Sequence, residues 1–305
     1  MTFRSGFACL VGRPNAGKSS LTNAMAGSKV AITSTRPQTT RHAIRAVINR
    51  PDQGQLIMVD TPGLHKPRTL LGERLNDLVR TTWAEVDAVG LCLPADQKPG
   101  PGDRYIAEQL KGLRRTPVLL LVTKMDLVDA AAGAVALAAA HEACLAVDLP
   151  VAEVVPVSAH SGMNVDVVTD LFLGQLPEGP QLYPDDVVTD EPEEVLVAEL
   201  IREAALEGVR DELPHSLAVT VEEMAPRDGR KADDPLLDIF ATIHVERDSQ
   251  KPIIIGRKGA RLAQIGKQSR MAIQGLLGTP VYLNLHVRVA KDWQKDPKQL
   301  RRLGF

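Results

Sequence analysis

Gly12-Arg13-Pro14-Asn15-Ala16-Gly17-Lys18-Ser19-Ser20 stands between an apolar run, Phe7–Val11, and a helix-forming stretch, Lys18–Ala26. The spacing is G-x-x-x-x-G-K-[ST], and the residue types suit one task. Glycines let backbone N–H groups come close to phosphate oxygens, Lys18 balances the charge of the β and γ phosphates, and the Ser19 hydroxyl binds Mg²⁺. A strand before the loop and a helix after it are the context this motif requires. Residues Asn15, Ala16, Gly17, Lys18, Ser19 and Ser20 are therefore expected to hold nucleotide phosphates. The motif alone does not choose between adenine and guanine.

Outward from this loop, strand-like and helix-like runs alternate as far as residue 178. Strands are expected at Phe7–Val11, Ile44–Ile48, Leu56–Val59, Ala88–Leu93, Val118–Val122 and Val154–Val157, with a turn at Asn49–Gly54 joining the second to the third. Helices are expected at Lys18–Ala26, Leu70–Trp83, Asp103–Lys111, Ala130–Val147 and Val165–Gln175. That order makes an α/β domain, a mostly parallel sheet with helices on both faces. Ligands of such sheets bind at the C-terminal ends of strands, and three strand ends here carry chemistry. Asp60-Thr61-Pro62-Gly63 puts a second acidic group near Mg²⁺ at Asp60 and a backbone N–H near the γ-phosphate at Gly63. Thr123-Lys124-Met125-Asp126 supplies a carboxylate, Asp126, that can accept from guanine N1–H and N2–H₂, a donor pair adenine lacks. Val157-Ser158-Ala159 offers a backbone N–H to guanine O6. The set, in this order, points to GTP and GDP.

Pro177, Gly179, Pro180, Pro184 and Pro192 among acidic residues mark a break. We expect a nucleotide-binding domain over 1–178, a linker over 179–192 and a second domain over 193–305. In the latter, Glu193–Leu206 reads as a helix, Ser216–Met224 and Leu237–Val245 as strands around a polar loop at Pro226–Pro235, and Ile253–Ile255 as a strand-like run. A glycine loop at Gly256–Gly259, a helix to Leu277, a strand at Val281–Val289 and a basic helix at Asp292–Leu303 follow. The order α-β-β-α-β-α is that of a small α+β domain. GxxG occurs twice, at Gly256-Arg257-Lys258-Gly259 and at Gly275–Gly278. Only the first holds basic residues inside the loop and opens an amphipathic helix. A GxxG turn of the KH kind lets the chain backbone clamp about four nucleotides of single-stranded nucleic acid, with basic side chains on phosphates. Gly256, Arg257, Lys258, Gly259 and Arg261 are the expected RNA contacts.

Charge supports a polyanion partner for the C-terminal end. The net charge of −2 conceals 18 basic against 17 acidic residues over 1–180, 6 against 19 over 181–250 and 12 against 2 over 251–305. No stretch approaches the roughly 20 apolar residues of a membrane span, and the start of the chain lacks a signal-peptide cleavage site. Cys9, Cys92 and Cys144 have no Cys or His neighbours and are expected to be buried thiols of a reducing compartment.

GRPNAGKSS, PQTTR at Pro37–Arg41, DTPGLHKP at Asp60–Pro67, TKMD and PVSA together resemble the Era GTPases of the translation-factor-related class, over nearly the whole chain. Val281-Tyr282-Leu283 and the closing Lys291-Asp292-Trp293 and Leu303-Gly304-Phe305 extend the likeness into the second domain. The resemblance implies a slow GTP hydrolase with Lys18, Thr40 and Gly63 at the reacting phosphate. It gives Thr40, with Thr39 as the adjacent candidate, to Mg²⁺ alongside Ser19 and Asp60. It also implies a type II KH domain that binds the 3′ end of 16S ribosomal RNA, and a role as a switch in maturation of the 30S subunit. A cytoplasmic monomer with peripheral association at the cytoplasmic membrane fits the same resemblance. One departure from the family stands out, and one feature bears on hydrolysis. Thr123 replaces the family's Asn, which predicts weaker nucleotide binding with specificity kept. Leu64 follows Gly63 where a water-orienting Gln is common, which predicts slow turnover unless a partner or cation assists; related GTPases use an asparagine at the position of Asn15 to hold K⁺. The competing readings are a membrane-surface GTPase whose basic tail, Lys291–Arg302, meets anionic lipid, and a passive RNA-binding module.

Overall fold

The computed structural model describes residues 2–33, 40–64, 67, 69–113, 115–209, 213–231 and 234–305, the side chains of Pro214 and His215 excepted. The candidate Mg²⁺ residue Thr39 and the motif residues Pro37, Gln38, His65 and Lys66 lie outside the described residues. The chain divides into two units, the first reaching Asp190 and the second comprising Glu191–Phe305 together with the short stretch Thr69–Leu71.

The first unit is built on a six-stranded sheet. In chain order it contains β1 (Arg4–Val11), α1 (Lys18–Ala26), β2 (Ile44–Arg50), β3 (Gly54–Asp60), α2 (Leu70–Glu85) and β4 (Ala88–Pro94). Then come α3 (Pro101–Leu110), β5 (Val118–Thr123), α4 (Ala130–Leu145), β6 (Glu153–Pro156) and α5 (Val165–Gln175). The strand order is β2-β3-β1-β4-β5-β6. Only β2 runs antiparallel, against β3, as the short turn after Arg50 requires; every other pairing is parallel. Alternate side chains feed two cores. Leu10, Leu56, Met58, Leu119 and Leu121 pack with Leu21 and Phe172 on one face. Cys9, Val11, Val89, Leu120 and Val122 pack with Val79, Trp83, Ile106 and Cys144 on the other. Both faces being buried, β4 and β5 are apolar almost throughout, the pattern that a covered parallel strand demands. All three cysteines are buried free thiols, and burial pushes Cys144 up to about 11 and Cys92 up to about 12.

As far as Asp190, the segment read as a linker is bonded to the first unit. Gly179 N donates to Phe3 O (3.2 Å), Ser5 Oγ to Pro180 O (2.6 Å), and Val47 N, on the outer edge of β2, to Val188 O (2.9 Å). The buried Gln55 side chain accepts from the N–H groups of Leu182 and Tyr183, each at 2.8 Å, and donates to Tyr183 O at 2.8 Å. An open sheet edge offers unpaired backbone groups, and this stretch satisfies some of them.

The second unit contains α6 (Glu193–Leu206), α7 (Leu213–Ser216), β7 (Ala218–Pro226), β8 (Leu237–Val245), α8 (Lys251–Ile255), α9 (Ala260–Leu277), β9 (Val281–Val289) and α10 (Pro297–Arg302). Its sheet has the order β7-β8-β9, antiparallel between β7 and β8 and parallel between β8 and β9. α6 packs on α9 and β7, and α9 packs on β9. Ile239, Ala241, Ile243 and Val245 of β8 are at most 1% exposed, as are Ile273 of α9 and Val197 and Ile201 of α6. The strand-like run Ile253–Ile255 is the end of α8. Three β-branched residues favour a strand, but Pro252 sits in the first helical turn, where its missing N–H costs nothing, and Gly256 closes the turn by donating to Pro252 O at 2.8 Å. The basic helix is also shorter than expected, because Asp296 caps α10 by accepting from Lys298 N at 2.8 Å.

Candidate functional site

α1 begins with no side-chain cap. Gly17 holds φ 87°, a left-handed conformation that swings the chain into the helix, and the first-turn N–H groups are left to a ligand. Lys18 is buried beneath the loop and donates to Gly12 O at 3.2 Å and Arg13 O at 3.0 Å. Burial lowers its ammonium from the usual lysine range, while the nearby Asp60 charge opposes that shift. A poorly solvated cation surrounded by inward N–H dipoles is a strong anion receptor.

Three hard oxygens meet beside it. Ser19 Oγ donates to Asp60 Oδ2 at 2.7 Å, Thr40 Oγ1 donates to the same oxygen at 3.2 Å, and the two hydroxyls lie 3.0 Å apart. Ser19 opens α1, Asp60 ends β3 and Thr40 precedes β2, so the sheet brings together residues far apart in sequence. Gly63 follows on the β3 side; a Cβ there would stand 2.7 Å from Pro14 N, so the phosphate loop and the Asp60–Gly63 turn touch at a place with room only for glycine. Leu64 is 5% exposed and packs with Val11, Val79 and Trp83. It faces the core and orients no water. Asn15 is exposed at the tip of the loop with φ 63°.

A second hollow opens beside the loop, lined by Gly17, Ser20, Thr123, Asp126, Ala159 and His160. Thr123 Oγ1 donates to Ala16 O at 2.7 Å, fully buried, and so ties β5 to the phosphate loop. The hydroxyl thus makes the join expected of asparagine. Removing it by Thr123→Val leaves the Ala16 carbonyl unsatisfied and costs about 1 kcal/mol, or roughly 5-fold faster GDP release. Stopped-flow release of a fluorescent GDP checks this; Thr123→Asn should behave as the parent, and an unchanged Thr123→Val would show the bond to be idle. Ser158 contributes more than a backbone N–H. Its buried hydroxyl donates to Asp126 Oδ1 at 2.5 Å and accepts from Ser161 N at 3.1 Å, fixing the rotamer of the carboxylate. Neither this role nor that of His160 is legible from the motif, which names the residue type without its partner.

In the second unit, Gly256 (φ 73°) and Gly259 (φ 80°) bracket Arg257 and Lys258, both exposed. A Cβ at Gly256 would lie 2.6 Å from Arg261 Cβ, so no other residue fits. The loop joins α8 to α9 and borders a groove lined by Leu262, Gly266, Lys267, Arg270, Leu283 and Leu285. An apolar floor with a basic rim suits stacked bases and their phosphates. Arg261 departs from expectation. Its guanidinium donates to Glu207 O at 2.6 Å and Ala205 O at 3.4 Å, capping the end of α6. These bonds brace the loop against the end of α6.

Residues 7–124 match a family model described as 50S ribosome-binding GTPase, and residues 212–294 match one described as KH domain. Over 302 residues the chain is 66% identical to GTPase Era of Streptomyces coelicolor, covering 99% of this chain and 95% of that one. It is 60% identical over 305 residues to GTPase Era of Mycobacterium tuberculosis H37Ra, covering 99% of both. Among solved structures it is similar to Era in complex with MgGDPNP and nucleotides 1506–1542 of 16S ribosomal RNA, with a TM-score of 0.93, 36% identity and 99% of both chains covered. It is also similar to a point variant of Aquifex aeolicus Era bound to GDP·AlF₄⁻, with a TM-score of 0.92, 37% identity and 99% of both chains covered.

Proposed function

This chain belongs to the Era family of GTPases, and from that premise we propose that it is a GTP-hydrolysing switch that binds the 3′ end of 16S ribosomal RNA during small-subunit maturation. The observation that carries the reading is the pairing of two built sites in one chain, a Lys18–Ser19–Asp60 phosphate site and a GxxG loop with bare Arg257 and Lys258. The first family model's description refers to the large subunit, but it ends at residue 124, before the unit that would touch RNA. The relative solved with 16S RNA spans the whole chain and is the better guide.

The residues divide the work as follows. First-turn N–H groups of α1 and Lys18 hold the β and γ phosphates. Asp126, held by Ser158, reads guanine, and Ala159 offers its N–H to O6. Ser19, Thr40 and Asp60 form an oxygen-only set of the kind that suits Mg²⁺, which would neutralise phosphate charge there. Leu64, the residue directly after Gly63, is in the core and places no water. Asn15, exposed at the loop tip, would help hold K⁺ as a substitute positive charge. We expect turnover to be about 10-fold faster in K⁺ than in Na⁺, as for added transition-state charge stabilisation, and Asn15→Ala to erase the difference; equal rates in both salts for the parent would remove K⁺ from the account.

Asp126→Asn should weaken GTP binding by about 1–3 kcal/mol, roughly 5- to 150-fold, because an amide donor then faces guanine's donors. Xanthosine triphosphate, which presents an acceptor at C2, should bind the variant better than GTP does. Retained GTP preference would take Asp126 out of base reading. The RNA half is tested by chemical footprinting of 16S RNA in small subunits with the chain and a GTP analogue. Protection confined to the 3′ end supports the reading, and protection elsewhere contradicts it. The membrane alternative gains nothing from α10, whose Leu300 is 0% exposed with the following Leu303 at 5%, both turned inward. Among the described residues no helix is long and apolar enough to cross a membrane. Action in the cytoplasm, as a monomer, completes the proposal.

A further inference from the structure

We propose that residues 95–103, which carry none of the nucleotide motifs, form a strap that holds the phosphate end and the base end of the nucleotide site in register, with Asp103 and Asp96 as its positioning residues. The stretch runs from the end of β4 into the first turn of α3 and meets both motifs within nine residues. At the phosphate end, Asp103 Oδ1 accepts from Arg13 Nε at 2.7 Å, and Gln97 Oε1 accepts from Arg13 Nη2 at 3.3 Å. The Asp103 side chain is 1% exposed, and its second oxygen accepts from Gly100 N at 2.8 Å, so the carboxylate cannot swing away. A Cβ at Gly102 would lie 3.0 Å from Arg13 Cδ, so the helix start also packs against the arginine stem. At the base end, Ala95 N donates to Thr123 O at 2.8 Å, and Asp96 Oδ2 lies 3.5 Å from Lys124 Nζ.

These contacts reach the ligand-binding groups through one residue each. Arg13 sits inside the phosphate loop, and its carbonyl accepts the Lys18 ammonium at 3.0 Å. Fixing the Arg13 side chain therefore fixes where the Lys18 charge stands. Lys124 holds a left-handed backbone, φ 59°, which a non-glycine residue adopts only when its surroundings impose it. It precedes Met125 and Asp126, so its restraint sets the height of the base-reading carboxylate. A buried carboxylate bonded to both an arginine and a helix N–H is rigid, and rigidity at these two anchors preorganises the site.

The inference rests on the reading of Lys18 as phosphate ligand and Asp126 as base ligand. It is tested by release rates of GDP and inosine diphosphate, which lacks the 2-amino group, from the full-length chain with Mg²⁺. Asp103→Asn and Arg13→Gln should each speed release of both nucleotides about 10-fold, with the preference for GDP unchanged, and the double variant should be no faster than either single, since the two residues act as a pair. Arg13→Gln, altered on the partly exposed side of the pair, reads the contact without emptying a buried position. Asp96→Asn should speed GDP release about 3-fold, the size of a half-exposed ion pair, and reduce the preference for GDP over inosine diphosphate. A merely structural role would move all rates together and leave no such split. Asp103→Asn within twofold of the parent, or a double variant whose effects multiply, overturns the strap. Asp126→Asn runs alongside: if it also releases GDP at the parental rate, the failure belongs to the site reading, and if it alone loses GDP, the failure belongs to the strap.

Discussion

Lys18→Ala is expected to lower affinity for GTP and GDP at least 100-fold, with GTP affected more than GDP. The ammonium makes two buried hydrogen bonds, to Gly12 O and Arg13 O, and shapes the loop before any ligand arrives. Charge-assisted bonds from the ammonium to the β and γ phosphates are worth about 1.5–3 kcal/mol each, so losing two of them exceeds the roughly 2.7 kcal/mol that a 100-fold change requires. The stripped loop also keeps Asp60 at its mouth, and an uncompensated carboxylate repels phosphate. Because burial already disfavours the charged lysine, the empty protein should tolerate alanine better than the complex does. Isothermal titration with GTP and GDP, next to a thermal melt of the nucleotide-free chain, separates the two effects. A parental affinity would mean that the phosphate site is elsewhere.

Arg257→Asp together with Lys258→Asp is expected to reduce binding of single-stranded ribosomal RNA by roughly 100-fold or more at physiological salt, removing two cations from the phosphate backbone and adding two repulsive charges. The slope of log affinity against log salt should flatten by about 0.7 for each phosphate no longer neutralised, a signature that misfolding does not produce. Both side chains are exposed, Lys258 in a left-handed conformation with φ 52°, and neither supports the core. GTP affinity should therefore stay at the parental value. Gly275→Ala serves as the comparison, because Gly275 lies inside α9 with nothing within 4 Å of a new Cβ. Filter binding across a salt series checks the prediction, and an undiminished affinity in the double variant would remove the loop from the RNA interface.

What is legible in the sequence depends on whether backbone chemistry or side-chain partners decide the outcome. The phosphate loop, the three strand-end motifs and the boundaries of α1, α5, α6, β8 and β9 follow from periodicity and from residue types that only one geometry tolerates. Ile253–Ile255 misleads because local β propensity loses to the helix-starting Pro252 and the closing Gly256. Residues 179–190 mislead because composition records flexibility and not an acceptor; the buried Gln55 amide and the β2 edge, both distant in sequence, pin them. Arg261 follows a glycine loop as an RNA contact would, yet the carbonyls ending α6 are nearer. Thr123 is legible as a departure from asparagine, but its partner, Ala16 O, lies 107 residues away.

The central claim is that one chain couples GTP hydrolysis to recognition of the 16S 3′ end, and steady-state GTP turnover with and without that RNA tests it most directly. Using a single-stranded oligonucleotide of the 3′-terminal sequence in K⁺ and Mg²⁺, the account predicts turnover raised about 5-fold or more, the size of a typical coupling free energy near 1 kcal/mol. The Arg257→Asp/Lys258→Asp variant should show the same basal rate and no response to RNA. Turnover unmoved by saturating 3′-end RNA, or raised equally by an unrelated single strand, would contradict the coupling.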